Sequence, residues 1–219
     1  MTPASISAPE SRDGSAPRDT GRMPSAERRA LILASARDLF GRRGYVGTTT
    51  DQIAAAAGIS QPYVVRMFGS KEKLFLEVIS GALTALLDAF RAVLAEHAAA
   101  EGTHEELGVA LGAAYVDLVT TRGLHTVLMQ AFVSGSDAEI GRHARAGFLD
   151  IYRLLRDEAH FSAAEVHSFL GTGMLFSVLL GIELPSMYGA DADATELMEV
   201  AFGRKIGMVV ATMGPDASA

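Results

Sequence analysis

The stretch GISQPYVVRMFGSKEKLF, residues 58–75, gathers Gln61, Pro62, Tyr63 and Arg66 within six positions, with Lys71 just beyond. Thr49 and Thr50 precede it. The guanidinium fork of an arginine matches guanine O6 and N7 in a DNA major groove, and a glutamine amide matches adenine. Tyrosine can reach a phosphate or lie on a thymine methyl. Hydroxyl, ammonium and free backbone N–H groups bind phosphate oxygens. The chemistry on offer is therefore the grasp of a polyanion, not bond making.

Catalytic patterns are weak by comparison. The six histidines are scattered, with no His-Glu-x-x-His spacing. Glu101 and His104 form one Glu-x-x-His in an expected loop, whereas a di-metal bundle needs two such pairs on different helices plus further glutamates. No Gly-x-Ser-x-Gly elbow or phosphate loop occurs. With no cysteine, disulfides and thiolate metal sites are impossible. The reading is no enzyme, no metal and no cofactor, in a cytoplasmic setting.

To offer those side chains to DNA, Gln61–Arg66 must lie on an exposed helix held by others. From Pro24 onward apolar residues recur at three and four, so the chain reads as all-α. A first helix spans about 25–43, with Ser25 as N-cap and a stripe of Ile32, Leu33, Ala36, Leu39 and Phe40. Thr49 and Gln52 form a capping box opening a second helix that ends at Gly58, where a left-handed residue is required. Ser60 caps a third, and Pro62 sits in its first turn, where a missing N–H costs nothing. Ser70 caps a long fourth helix. Two short helices joined at a glycine turn make a helix-turn-helix. Ala54 must be small at their crossing, Ile59 fills the corner, and Ile53, Ala57 and Val64 fill the interior. At about 100° per residue, Val64, Met67 and Phe68 then face in while Pro62, Tyr63 and Arg66 face out. That outer rim is what a recognition helix presents.

Charge follows this division. The whole chain carries −7, but residues 22–80 hold nine Lys/Arg against five Asp/Glu, while 81–219 hold eight against eighteen. One end can approach phosphate and the other is repelled by it. Residues 1–21 are rich in Pro, Ser, Ala and Gly and read as a solvated tail without a signal peptide. The organisation expected is a tail at 1–21, a DNA-binding unit at 22–70, a larger helical domain at 71–214 and a tail at 215–219. Further helices are expected near 104–121, 124–133, 137–158, 163–183 and 193–212. Residues 166–182 form an uncharged run of 17, short of the roughly 20 residues a membrane span needs, and read as a buried helix.

Two strings, ILASARDLFGRRGYVGTTTDQIAAAAGIS and FGSKEKLF, resemble the DNA-binding region of the tetracycline-repressor (TetR) family over residues 28–79. The resemblance implies a homodimer whose helices 1–3 bind operator DNA and whose larger variable domain binds a small effector. Such proteins are usually repressors that the effector releases. By position it implies Thr49, Thr50 and Lys71 at phosphates and Gln61, Pro62 and Tyr63 at bases. Val65 and Met67 stand where the family often has tyrosine and histidine, and Arg66 where an aromatic is frequent. Operator sequence therefore does not carry over.

Within the larger domain, Gly173, Ser177 and Gly181 recur every four residues, a spacing that lets two backbones approach closely and suits a dimer interface. Close packing inside one subunit is the other reading of that stripe. An unidentified effector is expected among Phe90, Tyr115, His125, Met129, Phe132, Phe148, Tyr152 and Met174, which are mostly apolar with a few polar handles. Plain core is the other reading of each. The alternative function is a helical small-molecule or metal-binding protein with a vestigial helix-turn-helix.

Overall fold

The computed structural model describes residues 24–100, 102–119 and 123–213. The proposed tails at 1–21 and 215–219 lie outside them, as does Glu101. Among the described residues the fold is all-α and without strands. The helices are α1 (Ser25–Arg43), α2 (Thr50–Ala57), α3 (Gln61–Phe68), α4 (Lys71–Ala100), α5 (His104–Val119), α6 (Leu124–Val133), α7 (Ala138–Arg153), α8 (Ala163–Gly181), α9 (Ala192–Phe202) and α10 (Ile206–Met213).

Local signals set most of the ends. Thr49 Oγ accepts from the Gln52 N–H while Gln52 returns a bond to the Thr49 N–H, completing the capping box. Gly58 takes the left-handed conformation at φ 66°. Ile59 N–H then reaches Ala54 O at 2.9 Å and Gly58 N–H reaches Ala55 O at 3.2 Å, the paired bonds of a Schellman ending. Pro62 occupies the first turn of α3, and Ser70 Oγ caps α4 through the Lys73 N–H at 3.1 Å.

Three boundaries differ from expectation. Pro24, not Ser25, is the N-cap of α1, and Ser25 begins the helix. The helix expected over 137–158 ends in a π-helical turn at Leu154–Glu158. The one expected over 193–212 is broken between α9 and α10 by a 3₁₀ turn, where Gly203 takes φ 48°. Apolar periodicity continues across that break and hides it.

The N-terminal core joins Ile32, Ala36 and Phe40 of α1, Ile53 and Ala54 of α2, Val64 and Phe68 of α3 and Leu74, Phe75, Val78 and Ile79 of α4. It does not stop at residue 70. Val127 and Ala131 of α6, with Ile140 and Ala144 of α7, belong to the same cluster. Farther along α4, Ala82, Leu86 and Phe90 enter a second core with α5, α6 and the end of α7. One long helix thus runs through both.

α1 and α6 touch closely at Gly41. A Cβ there would collide with Thr126 Oγ1 and come within 3.3 Å of the Gly123 backbone. Thr48, the first of three threonines, is fully buried and donates to Leu39 O at 3.1 Å and Gly44 O at 2.8 Å. It ties the end of α1 to the start of α2, leaving only Thr49 and Thr50 for other partners.

Candidate nucleic-acid interface and effector cavity

The openings of α2 and α3 are joined side chain to side chain, because Gln61 Nε2 donates to Thr50 Oγ1 at 3.3 Å. Thr49 and Pro62 are exposed beside them, and Thr50 and Gln61 are half-buried. Arg66 is exposed on the same outer flank of α3, whereas Val64 and Phe68 are buried. Lys71 is less free than its sequence suggests. Its Nζ donates to Tyr45 O at 3.0 Å and stands 4.4 Å from the Tyr45 ring centre.

Tyr63 is half-buried against the edge of the N-terminal core and is not idle. Arg28 of α1 donates Nε–H to its hydroxyl at 3.0 Å, and Ser25 Oγ lies 3.3 Å from the same oxygen. Its ring carries the Arg28 guanidinium at 4.6 Å and that of Arg66 at 4.9 Å. The hydrogen bond with Ser25, followed by that from Arg28, holds the phenol below its usual pKa. Tyr63 therefore spaces two arginines as well as facing outward. The link of Ser25 and Arg28 to Tyr63 is not legible in the sequence because they lie 38 and 35 positions away from it. No local pattern links residues that far apart. The next arginine, Arg29, is spent on an ion pair with Glu77 and contact with the Phe68 ring.

The larger domain holds a partly open cavity of about 60 Å³. Phe90, Tyr115, His125, Met129, Phe132, Phe148 and Met174, all expected from sequence, line it. Tyr152 does not, since its ring lies under Arg156 instead, 5.3 Å away. The surprise is the stripe on α8. Ser177 is 2% exposed, bonds Tyr115 Oη at 2.5 Å and donates to Gly173 O at 3.0 Å. Both Ser177 and Gly173 line the cavity, so they face their own subunit rather than a partner, and only Gly181 is exposed. Burial lifts the Tyr115 phenol above its usual pKa, so it is neutral.

Nor is α8 a buried helix. Met174, Leu175, Val178 and Ile182 form an exposed apolar flank, with Ile182 63% exposed. By length and hydropathy alone, α4 and α8 both reach the range of a membrane span. Among the described residues no three His, Asp or Glu side chains converge as a metal site would need.

Residues 32–78 match the family model for bacterial regulatory proteins, tetR family. The chain is 35% identical over 85 residues to an HTH-type transcriptional activator, FasR, of Mycolicibacterium smegmatis, a match covering 39% of each chain. It is 41% identical over 73 residues to the HTH-type transcriptional regulator RutR of Escherichia coli K12, covering 32% of this chain and 34% of that one. Less than two fifths of either relative is therefore matched. Over most of its length the fold is similar to a TetR-like transcriptional regulator from Rhodococcus sp. RHA1, with TM-score 0.60 and 24% identity over 82% of this chain and 96% of the other. A tetR-family regulator from Streptomyces coelicolor gives 0.55 and 21% over 87% and 90%. At such identities these two establish shared architecture alone.

Proposed function

We propose, from a chain whose N-terminal unit belongs to the tetR family of bacterial regulatory proteins, that it is a ligand-responsive repressor. In this reading a cytoplasmic homodimer without catalytic activity binds a palindromic operator, and a small molecule releases it. The carrying observation is the outer flank of α3, where Gln61, Pro62 and exposed Arg66 stand beside the capped start of α2 and the Arg28–Tyr63 pair. Helix N-termini supply unsatisfied N–H groups to phosphates, so Thr49, Thr50 and Lys71 suit the backbone while Gln61, Tyr63 and Arg66 suit base edges.

Coupling has a physical route. His125, Leu128, Met129 and Phe132 put one flank of α6 on the cavity, while Val127 and Ala131 put another in the N-terminal core. The first turn of α6 also abuts Gly41 of α1. A molecule that shifts α6 must shift the platform carrying α3. Two recognition helices that no longer match half-sites about 34–36 Å apart cannot grip one duplex.

Binding to DNA upstream of its own gene, titrated against salt, tests the DNA reading, because phosphate neutralisation makes affinity fall steeply with salt. Arg28→Ala should reduce the magnitude of the logarithmic salt slope by about one and, because it also releases Tyr63, weaken sequence preference. An unchanged slope would remove Arg28 from the interface, and no salt-dependent binding at all would leave the helix-turn-helix vestigial. The dimer is tested separately on α8. Val178 lies 45% exposed on its apolar flank, and Val178→Glu should leave a monomer in sedimentation at concentrations where the parent is a dimer. A parent that sediments as a monomer ends the dimer reading.

A further inference from the structure

The 60 Å³ cavity is too small for the role given to it. Roughly 150 Å³ is needed to admit one benzene ring, and small-molecule sites run to about 300–1,000 Å³. Beside it lies a cleft of about 990 Å³ between α5, α8 and the α9–α10 joint. Val109, Gly112 and Val116 line one side of the cleft, Thr172 and Phe176 a second, and Phe202 a third. Tyr115, Phe169 and Gly173 line both spaces. The Tyr115 ring is held in place by its hydroxyl bond to Ser177, and its nearest atom lies 3.7 Å from where a Gly173 Cβ would stand.

We infer that cavity and cleft are two parts of one effector chamber, and that the Tyr115–Ser177 hydrogen bond is the partition an effector displaces. This rests on the effector reading above and deepens it. The part of the molecule that enters past Tyr115 is uncharged and mainly apolar, because the inner space is walled by Leu86, Phe90, Leu128, Phe132, Phe148 and Ile151, whereas the part that stays in the cleft meets Glu105, Glu165, Arg204 and Lys205 as well as apolar side chains. One hydrogen-bonding group on the entering part replaces the bond that Tyr115 makes to Ser177, since leaving the buried Tyr115 hydroxyl unpaired would cost free energy, whereas Ser177 keeps its bond to Gly173 O. Opening the partition presses on α6, whose His125, Leu128, Met129 and Phe132 form another cavity wall. The same movement that admits the ligand therefore reaches the DNA-binding unit.

The chain has no tryptophan, so Phe148→Trp supplies a single fluorescent reporter in the cavity wall. The probe is N-phenyl-1-naphthylamine, neutral, apolar and too large for a space of about 60 Å³. Energy transfer to it in stopped flow should rise at a rate that levels off with dye concentration, as opening becomes limiting. Adding Ser177→Ala should raise that plateau about fivefold, the effect of losing one ordinary hydrogen bond. Gly112→Phe, on a cleft wall with open space beside Gly112, should slow the same signal several-fold. Transfer whose rate ignores Ser177→Ala overturns the partition and leaves the effector reading standing. Transfer that ignores Gly112→Phe overturns access through the cleft. No transfer even in the Ser177→Ala background means that no apolar molecule reaches the cavity, and the effector reading falls with it.

Discussion

Phe75→Ala should cost about 3–5 kcal/mol of folding stability, read from chemical denaturation, and should remove operator binding with it. Phe75 is fully buried, its ring 4.7 Å from Phe40 edge-on and 4.9 Å from Tyr45 in a stack. Truncation loses both the transfer free energy and the ring contacts, and a site walled by α1, α4 and the α1–α2 connection cannot collapse around the gap. A small domain has only about 5–15 kcal/mol in hand, so the loss is a large share of the total. The effect also reaches the DNA face. Tyr45 offers its carbonyl and ring to Lys71, so loosening Tyr45 frees the ammonium from its fixed place. A loss below about 1 kcal/mol would mean that the three rings are not packed as described.

Arg66→Ala is expected to weaken operator binding about 10–100-fold, equivalent to about 1–3 kcal/mol, while affinity for random DNA changes little. The guanidinium is exposed yet not free to wander, because it lies 4.9 Å from the Tyr63 ring centre. Holding a fork in place before contact reduces the ordering cost of using it. Arg66→Lys should not restore discrimination, since an ammonium cannot make the paired bond to guanine O6 and N7. Equal losses on operator and random DNA would show that Arg66 holds only phosphate. Side-by-side titrations at one salt concentration separate the outcomes.

These expectations differ in how far they could be read from sequence. The capping box at Thr49–Gln52, the left-handed Gly58 and the early Pro62 are contacts between near neighbours, so residue type and spacing specify them. Seven of the eight proposed effector residues line one cavity for a related reason: large apolar residues repeated at helical spacing must face inward, and the space left among them is shared. Tyr152 breaks the rule because an amphipathic ring can satisfy itself at the surface under Arg156.

Sequence alone determined that the chain is all-α, that a helix-turn-helix occupies its positively charged end, and which side of α3 looks outward. Tertiary structure decided everything that turns on residues far apart. The four-residue stripe on α8 fixes a common face but not what that face meets, and only packing against Tyr115 turns Ser177 inward and leaves Val178 and Ile182 uncovered. Likewise only the docking of α1 on α3 brings Arg28 to Tyr63, and only the fit of α1 to α6 gives Gly41 its meaning. Local geometry is encoded in spacing because the backbone repeats. Which surfaces meet depends on shape and burial summed over the whole fold, and no short stretch of sequence contains that sum.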